Sequence, residues 1–420
     1  MNTAWQRLQS GVASHKRRRV LALLSGCAVL LAACAGRLGI RGEERDAELS
    51  RFTNRGYDAA VSAATDPYRD TWQHGDEEII LDLLLPRATA PAPLVIYLPG
   101  LGEPVEAGET WRKSWARAGY VVASLQTASG AALWSTRAGR NGNFARAANE
   151  QFAVKSLAAR IERVGFVLQG IASRAQAGKS AYARIDTGRI AIAGFDLGAQ
   201  TALALAGEKH PGMESLPAMP GLRAVIALSP HAILARGGFV ERFGDIRLPT
   251  LTITGTEDAD PYGIVDTPHT RQAPYMFMPA GDKYMLIIED GTHQLMSGDS
   301  RPLASGENAN GPPGDLPMDA GRREPPGGRG GPGGGRGGSA GGRGGPGGGM
   351  DGPGGMPGRP PSEAAFRRSA GKGLKRQIVI VERVSVAFLD AAVKDDPVAR
   401  EWLARDAARW SDSLARLEMK

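Results

Sequence analysis

The chain has almost no cysteine. Of its 420 residues only Cys27 and Cys34 are of this type, and both lie near the amino terminus. The rest of the chain can therefore form no disulfide, no Cys-based metal site and no catalytic thiol. Its fold has to rest on its core alone. A long apolar run is lacking too. The stretch from Val20 to Ala33 is shorter than the ~20 residues that a membrane-spanning helix needs. Charge of one sign is also scarce once its position is considered. The formal charge is +7, but residues 1–33 hold five lysines and arginines and no acid, so the remainder has an excess of only two bases. Such a surface gives no reason to expect a nucleic-acid partner.

What is present at the amino terminus has an order. Lys16-Arg17-Arg18-Arg19 is basic, Val20 to Ala33 is apolar, and Leu31-Ala32-Ala33-Cys34 closes the segment with small residues. This layout is that of a secretory signal, and its end resembles a bacterial lipobox. The resemblance implies that residues 1–33 are a signal peptide cleaved before Cys34, which then carries lipid and anchors the protein to a membrane. Ala35 stands where an acid would signal inner-membrane retention, so the expected place is the cell envelope, facing the periplasm, at the outer rather than the inner membrane. Arg17-Arg18-Arg19-Val20-Leu21 is also loosely similar to a twin-arginine export signal. Residues 34–56 read as a polar tether.

From residue 57 to 301 apolar stretches alternate with helical patterns. Tyr57 to Ala64 and Glu77 to Leu85 read as outer strands. Leu94 to Leu98 is a continuous apolar run, as expected of a strand covered on both faces. Glu109 to Ala118 reads as a helix, Tyr120 to Leu125 as a strand, Thr127 to Asn149 as a surface loop near the site, and Phe152 to Ala172 as a helix. Leu222 to Leu228, Thr250 to Thr254 and Lys283 to Ile288 are further strands. The alternation predicts an α/β fold with a mostly parallel sheet and helices on both faces, its site at the carboxyl ends of the strands. Asp196, Asp258 and His293 each follow such an end.

Residues 302–374 interrupt this pattern. Gly, Pro and Arg dominate, and a seven-residue repeat starts at Gly327, Gly334 and Gly341. This composition buries too little apolar surface to offset its chain entropy, so disorder is expected. Arg-Gly-Gly repeats can bind RNA. In an exported chain a flexible insertion, or contact with anionic envelope polymers, is the more natural reading. Residues 375–420 then complete the domain with two helices, Ile378 to Ala392 and Val398 to Leu417, the second introduced by Pro397.

The chain is organised around Arg189-Ile190-Ala191-Ile192-Ala193-Gly194-Phe195-Asp196-Leu197-Gly198-Ala199-Gln200. A buried strand leads into Gly-x-Asp-x-Gly and then into a helix rich in Ala and Leu. The glycines suit a turn where strand and helix backbones nearly touch. This is the layout of the G-x-S-x-G nucleophile elbow, with Asp196 in place of serine.

Together with Leu98-Pro99-Gly100-Leu101-Gly102, Gly119 to Ser124, Arg184 to Ile190, Gly255 to Gly263, Gly291-Thr292-His293 and Ala387 to Asp390, these residues resemble the α/β-hydrolase superfamily. The resemblance is to the branch with dienelactone-hydrolase-like proteins, platelet-activating-factor acetylhydrolases and polyester hydrolases. It covers Leu94 to Gly298 and Gln377 to Leu403. It implies an α/β-hydrolase fold without a large cap, a catalytic Asp196, Asp258 as the acid and His293 as the base. It places the backbone N–H groups of Leu101 and Leu197 in an oxyanion hole, and calls for no metal and no cofactor. Asp260 is a rival for the acid, and Tyr262, His231 and His269 are possible pocket residues.

Asp196 changes the expected chemistry. An aspartate has an unperturbed pKa of about 3.9 and needs no base before it attacks. Attack on an sp³ carbon gives an alkyl ester that water can cleave, as in haloalkane dehalogenases and epoxide hydrolases, which also carry Asp at the elbow. Attack on an ester carbonyl gives a mixed anhydride instead. Two carboxylates beside His293 also favour the imidazolium, which is no base. The cap of those enzymes is missing, since Pro230 to Pro249 spans only about twenty residues, and Leu197 replaces the tryptophan after their nucleophile. Three expectations follow: a hydrolase acting through Asp196 on a small ester-like or alkyl substrate; a hydrolase fold that has lost its chemistry and serves binding or envelope structure; or a scaffold for a polymer-binding Arg-Gly-Gly segment.

Overall fold

The computed structural model describes residues 44, 46–59, 63–88, 90–135, 144–179, 181–213, 219–233, 238–299 and 373–420. The expected signal peptide, Cys34 and nearly all of the Gly/Arg-rich segment lie outside the described residues.

Among the described residues nine strands form one sheet: β1 (Thr65–His74), β2 (Glu77–Pro86), β3 (Ala92–Leu98), β4 (Val121–Thr127), β5 (Ile185–Phe195), β6 (Leu222–Leu228), β7 (Thr250–Glu257), β8 (Lys283–Thr292) and β9 (Ala415–Met419). Their order is β1-β2-β4-β3-β5-β6-β7-β8-β9. From β4 to β8 neighbours run parallel; β1, β2 and β9 add antiparallel edges. Every residue of β3 is buried, which accounts for its unbroken apolar run. β2 alternates instead, with Ile79, Leu81, Leu83 and Leu85 turned to the core.

The main helices are α1 (46–54), α2 (Glu109–Arg117), α3 (Phe144–Phe152), α4 (Val154–Gln176), α5 (Leu197–Ala206), α6 (Leu374–Val393) and α7 (Pro397–Arg405). α2, α6 and α7 cover one face, where Trp111, Trp115, Val384 and Phe388 meet Val95, Val122 and Ile226. α4 and α5 cover the other, where Leu157, Ile161, Val164 and Leu203 meet Leu94, Ile96 and Ile192. The architecture is thus α/β, with a mostly parallel central sheet between helical layers. Among the described residues no helix is long and apolar enough to cross a membrane.

The carboxyl-terminal segment is fastened through Asp390. Its Oδ2 accepts from the Tyr57 hydroxyl and its Oδ1 from the Tyr120 hydroxyl, each at 2.8 Å, and Lys394 pairs with Oδ1 at 2.7 Å. One buried carboxylate therefore ties α6 to the start of β4 and to Tyr57.

Several expectations need correction. The first described strand is Thr65–His74, and none of the described residues between Tyr57 and Ala64 is in a strand. β1 is an edge strand with only Trp72 buried, so it lacks an apolar signature. Tyr57 belongs to the core instead. Residues 46–54 are no loose tether. They are helical, Phe52 stacks on Trp410 at 4.7 Å, and the Trp410 indole N–H donates to the Phe52 carbonyl at 2.9 Å. The expected helix to Leu417 stops early: α7 ends at Arg405, and Ala415–Met419 pairs with β8 as β9. Ala, Arg, Leu, Glu and Met favour helix by propensity, but pairing with the open edge of β8 outweighs so weak a preference. Part of the expected loop from Thr127 to Asn149 is helix α3.

Candidate functional site

Asp196 sits between β5 and α5 at φ 50°, ψ −106°. Few side chains other than Asn and Asp adopt positive φ readily. Close backbone contact forces this geometry. A Cβ on Gly194 would lie 2.2 Å from the Gly198 carbonyl carbon, and one on Gly198 would lie 2.0 Å from the Leu98 carbonyl oxygen. Only glycine fits either position. The Asp196 backbone N–H donates to the Leu228 carbonyl at 3.0 Å, and the residue is 3% exposed. Behind it, Arg160 donates to the Thr201 hydroxyl at 2.8 Å and the Gln200 side-chain oxygen at 2.6 Å, bracing the first turns of α5.

The segment after β3 comes back to this residue. The Leu101 backbone N–H donates to Asp196 Oδ2 at 3.3 Å. Glu103 holds the same loop by accepting the Gly100 N–H at 2.8 Å. Leu197 opens α5 and packs with Leu101 in one apolar cluster.

Asp258 and His293 are brought together by the ends of β7 and β8. The two backbones almost collide there: a Cβ on Gly255 would lie 2.0 Å from the Gly291 carbonyl oxygen. Glu257 then pairs with Thr292 after a register shift. The next residue on each strand is Asp258 and His293, and Oδ1 of the first lies 2.7 Å from Nδ1 of the second. Asp258 Oδ2 accepts from the Ser229 and Thr254 hydroxyls, both at 2.8 Å. The Arg271 Nε lies 3.2 Å from Asp258 Oδ1 and donates to the Asp258 carbonyl at 2.9 Å. The Phe195 ring packs on His293 with centroids 4.8 Å apart.

Asp260 has a different task. Its carboxylate accepts from the backbone N–H groups of Tyr262 at 3.2 Å, Val265 at 2.8 Å and Ile264, and so shapes a loop. That loop delivers Tyr262 and Ile264 to an apolar cluster with Leu101, Leu197, Phe152, Leu133 and Trp134. Tyr262 stacks on Trp134 at 5.4 Å. His231 is buried against Phe152 at 4.1 Å, and His269 is exposed on the Pro268–Gln272 turn.

The two acids are tuned in opposite directions. Burial pushes the Asp196 carboxyl up; His293 and Arg271 pull it down only in part, and Asp260 adds to the rise. Burial acts on Asp258 in the same sense, but Arg271, His293 and the Thr254 hydroxyl overcome it and hold that carboxyl below the usual range. Burial raises the Tyr262 hydroxyl, with Asp196 the next cause, which places the phenol within the field of the elbow carboxylate.

The structure thus groups Asp196, Leu101, Asp258 and His293, with Leu197 and Tyr262 alongside. Arg271, Ser229, Thr254 and Trp134 were not foreseen. Ser229 directly follows the strand that ends at Leu228, which alone does not mark it, and nothing in Pro268 to Gln272 marks Arg271 from the sequence. Set against known proteins, the chain matches no family model and no curated protein.

Proposed function

We propose that this chain is an α/β-hydrolase, exported and lipid-anchored through Cys34, that cleaves small alkyl electrophiles through an ester formed on Asp196. The observation that carries this reading is the position of Asp196 Oδ2 at the Leu101 N–H, beside an Asp258–His293 pair. An ester carbonyl attacked at this site needs that N–H for its own oxyanion, and the elbow carboxylate already holds it. Displacement at an sp³ carbon makes no such demand. Asp196 Oδ1 forms a bond to carbon and the leaving group departs with the bonding electrons. Oδ2 is then the carbonyl oxygen of the new ester, already at a donor.

His293 Nδ1 lies against a carboxylate and carries the hydrogen, so Nε2 is left to take a proton from water. Hydroxide adds to the Asp196 carboxyl carbon and negative charge gathers on Oδ2. The Leu101 N–H stabilises that charge, with the Leu197 N–H assigned as the second donor. Collapse breaks the bond to Oδ1 and releases an alcohol, protonated by His293. Asp258 orients the ring and stabilises the imidazolium.

The positive φ of Asp196 also favours a second reading, in which the aspartate was retained for its backbone and the chemistry was lost. One comparison separates the two. The full chain, Asp196→Asn and Asp196→Ser are assayed on short aryl esters and small haloalkanes. Haloalkane turnover by the parent that vanishes in Asp196→Asn supports the hydrolase. A silent parent, with ester cleavage appearing in Asp196→Ser, supports an esterase frame that lost its nucleophile.

A further inference from the structure

An aspartate at the elbow creates a difficulty for the histidine beside it. Asp196 and Asp258 both act on His293, and two carboxylates stabilise an imidazolium, which accepts no proton. Arg271 is the side chain placed to offset them. It is completely buried, as is Asp258, so water screens neither charge. Its Nη1 donates to the Ser229 carbonyl at 3.0 Å and the Pro230 carbonyl at 3.3 Å, while Nε is held by the Asp258 carbonyl at 2.9 Å. The guanidinium is therefore fixed on three backbone oxygens.

Its remaining nitrogen, Nη2, lies 3.4 Å from His293 Nδ1. That ring nitrogen already makes the shorter 2.7 Å contact with Asp258 Oδ1 and uses its hydrogen there. Nη2 is thus a fixed cation beside the ring, not its donor. A cation at this distance opposes a second positive charge on the imidazole. Among the described residues the charged groups acting at the ring are Asp258 after β7, Arg271 on the Pro268–Gln272 turn and Asp196 after β5, with Asp260 acting on Asp196.

We propose that Arg271 is a positioning residue of this site: it pairs with Asp258, holds the Asp258–His293 contact and sets a fixed cation against the imidazole, opposing the two carboxylates that act on the same ring. The proposal rests on the hydrolase reading only for what the histidine then does. The charge balance itself is measurable without turnover.

The test uses the full chain labelled with ¹⁵N-histidine. Six histidines are present, and His293→Gln identifies the resonances wanted. The ring nitrogens of His293 are followed against pH in the parent, Arg271→Lys and Arg271→Gln. In Arg271→Gln the imidazolium signal is expected to persist about one to three pH units higher, the range for a charge this close. Arg271→Lys keeps most of the parent behaviour, and the acidic limb of kcat/KM moves with the signal. An unmoved signal in folded Arg271→Gln overturns the proposal.

Where Arg271→Gln does not fold, Asp258→Asn is compared with Asp258→Asn/Arg271→Gln. The double variant must hold its imidazolium to higher pH, and equality of the two overturns the proposal. A moved signal without turnover in any variant keeps the role of Arg271 and removes the hydrolase reading. An unmoved signal with turnover does the reverse.

Discussion

The backbone N–H of Leu101 and the Oδ2 of Asp196 are 3.3 Å apart across 95 residues of sequence. The contact engages one oxygen of the carboxylate and, on the proposed reading, leaves Oδ1 as the one that reacts. It also leads to an isotope prediction. On the hydrolase reading proposed above, with the protein in excess over a haloalkane in H₂¹⁸O, the first turnover should give unlabelled alcohol, whose oxygen was Asp196 Oδ1. The label should appear in the peptide containing Asp196. Label in the first alcohol would instead mean that Asp196 serves as a base for water.

Asp196 should also cost stability. Its carboxyl is raised by burial, so between the unfolded pKa near 3.9 and the higher folded one the native state binds more protons than the unfolded state. Stability therefore falls as pH rises through that window. Asp196→Asn removes the buried charge, and at neutral pH it should raise Tm by about 2–4 °C for each kcal/mol gained. A scan at pH 4 and pH 7 checks this: the gain must be larger at pH 7. A variant less stable than the parent at both would show that the Leu101 contact outweighs the burial.

Asp258 has the opposite sign. Its folded carboxyl lies below the usual range, so it stabilises above the unfolded pKa and loses that contribution as pH falls through the folded one. Asp258→Asn leaves Arg271 a buried, unpaired cation. Breaking one side of such a pair costs about 3–5 kcal/mol. Denaturant unfolding at pH 7 should show this loss, and the gap to the parent should narrow in acid. A gap that does not change between pH 7 and pH 3 would contradict the assignment.

Gly198→Ala should break the elbow. Its Cβ would stand 2.0 Å from the Leu98 carbonyl oxygen, a backbone atom with no freedom to retreat. Overpacking of this kind costs about 1–3 kcal/mol, often more against backbone. On the proposed hydrolase reading, turnover should fall further than stability, because α5 must shift and the Leu101–Asp196 contact shifts with it. Retained activity at an unchanged Tm would show that the turn is looser than it stands.

Local pattern alone determined much of this molecule. The apolar run of β3, the alternation of β2 and the helical periodicity of α4 are legible because burial on two faces, one face or one stripe leaves a different period. Gly194 and Gly198 marked the turn, since a backbone that close excludes every other residue. Asp196, Asp258 and His293 were legible as residues that follow strand ends. Other features depend on partners remote in sequence. β1 and β9 lie at the edges, where pairing with β2 and β8 decides the conformation and little apolar surface is written into the chain. The choice of Asp258 over Asp260 was made by the register of β7 on β8, which sets only the former against His293. Arg271 belongs wholly to the tertiary structure. A guanidinium can be buried only where carbonyls and a carboxylate converge on it, and those of Ser229, Pro230 and Asp258 meet only once the sheet has formed.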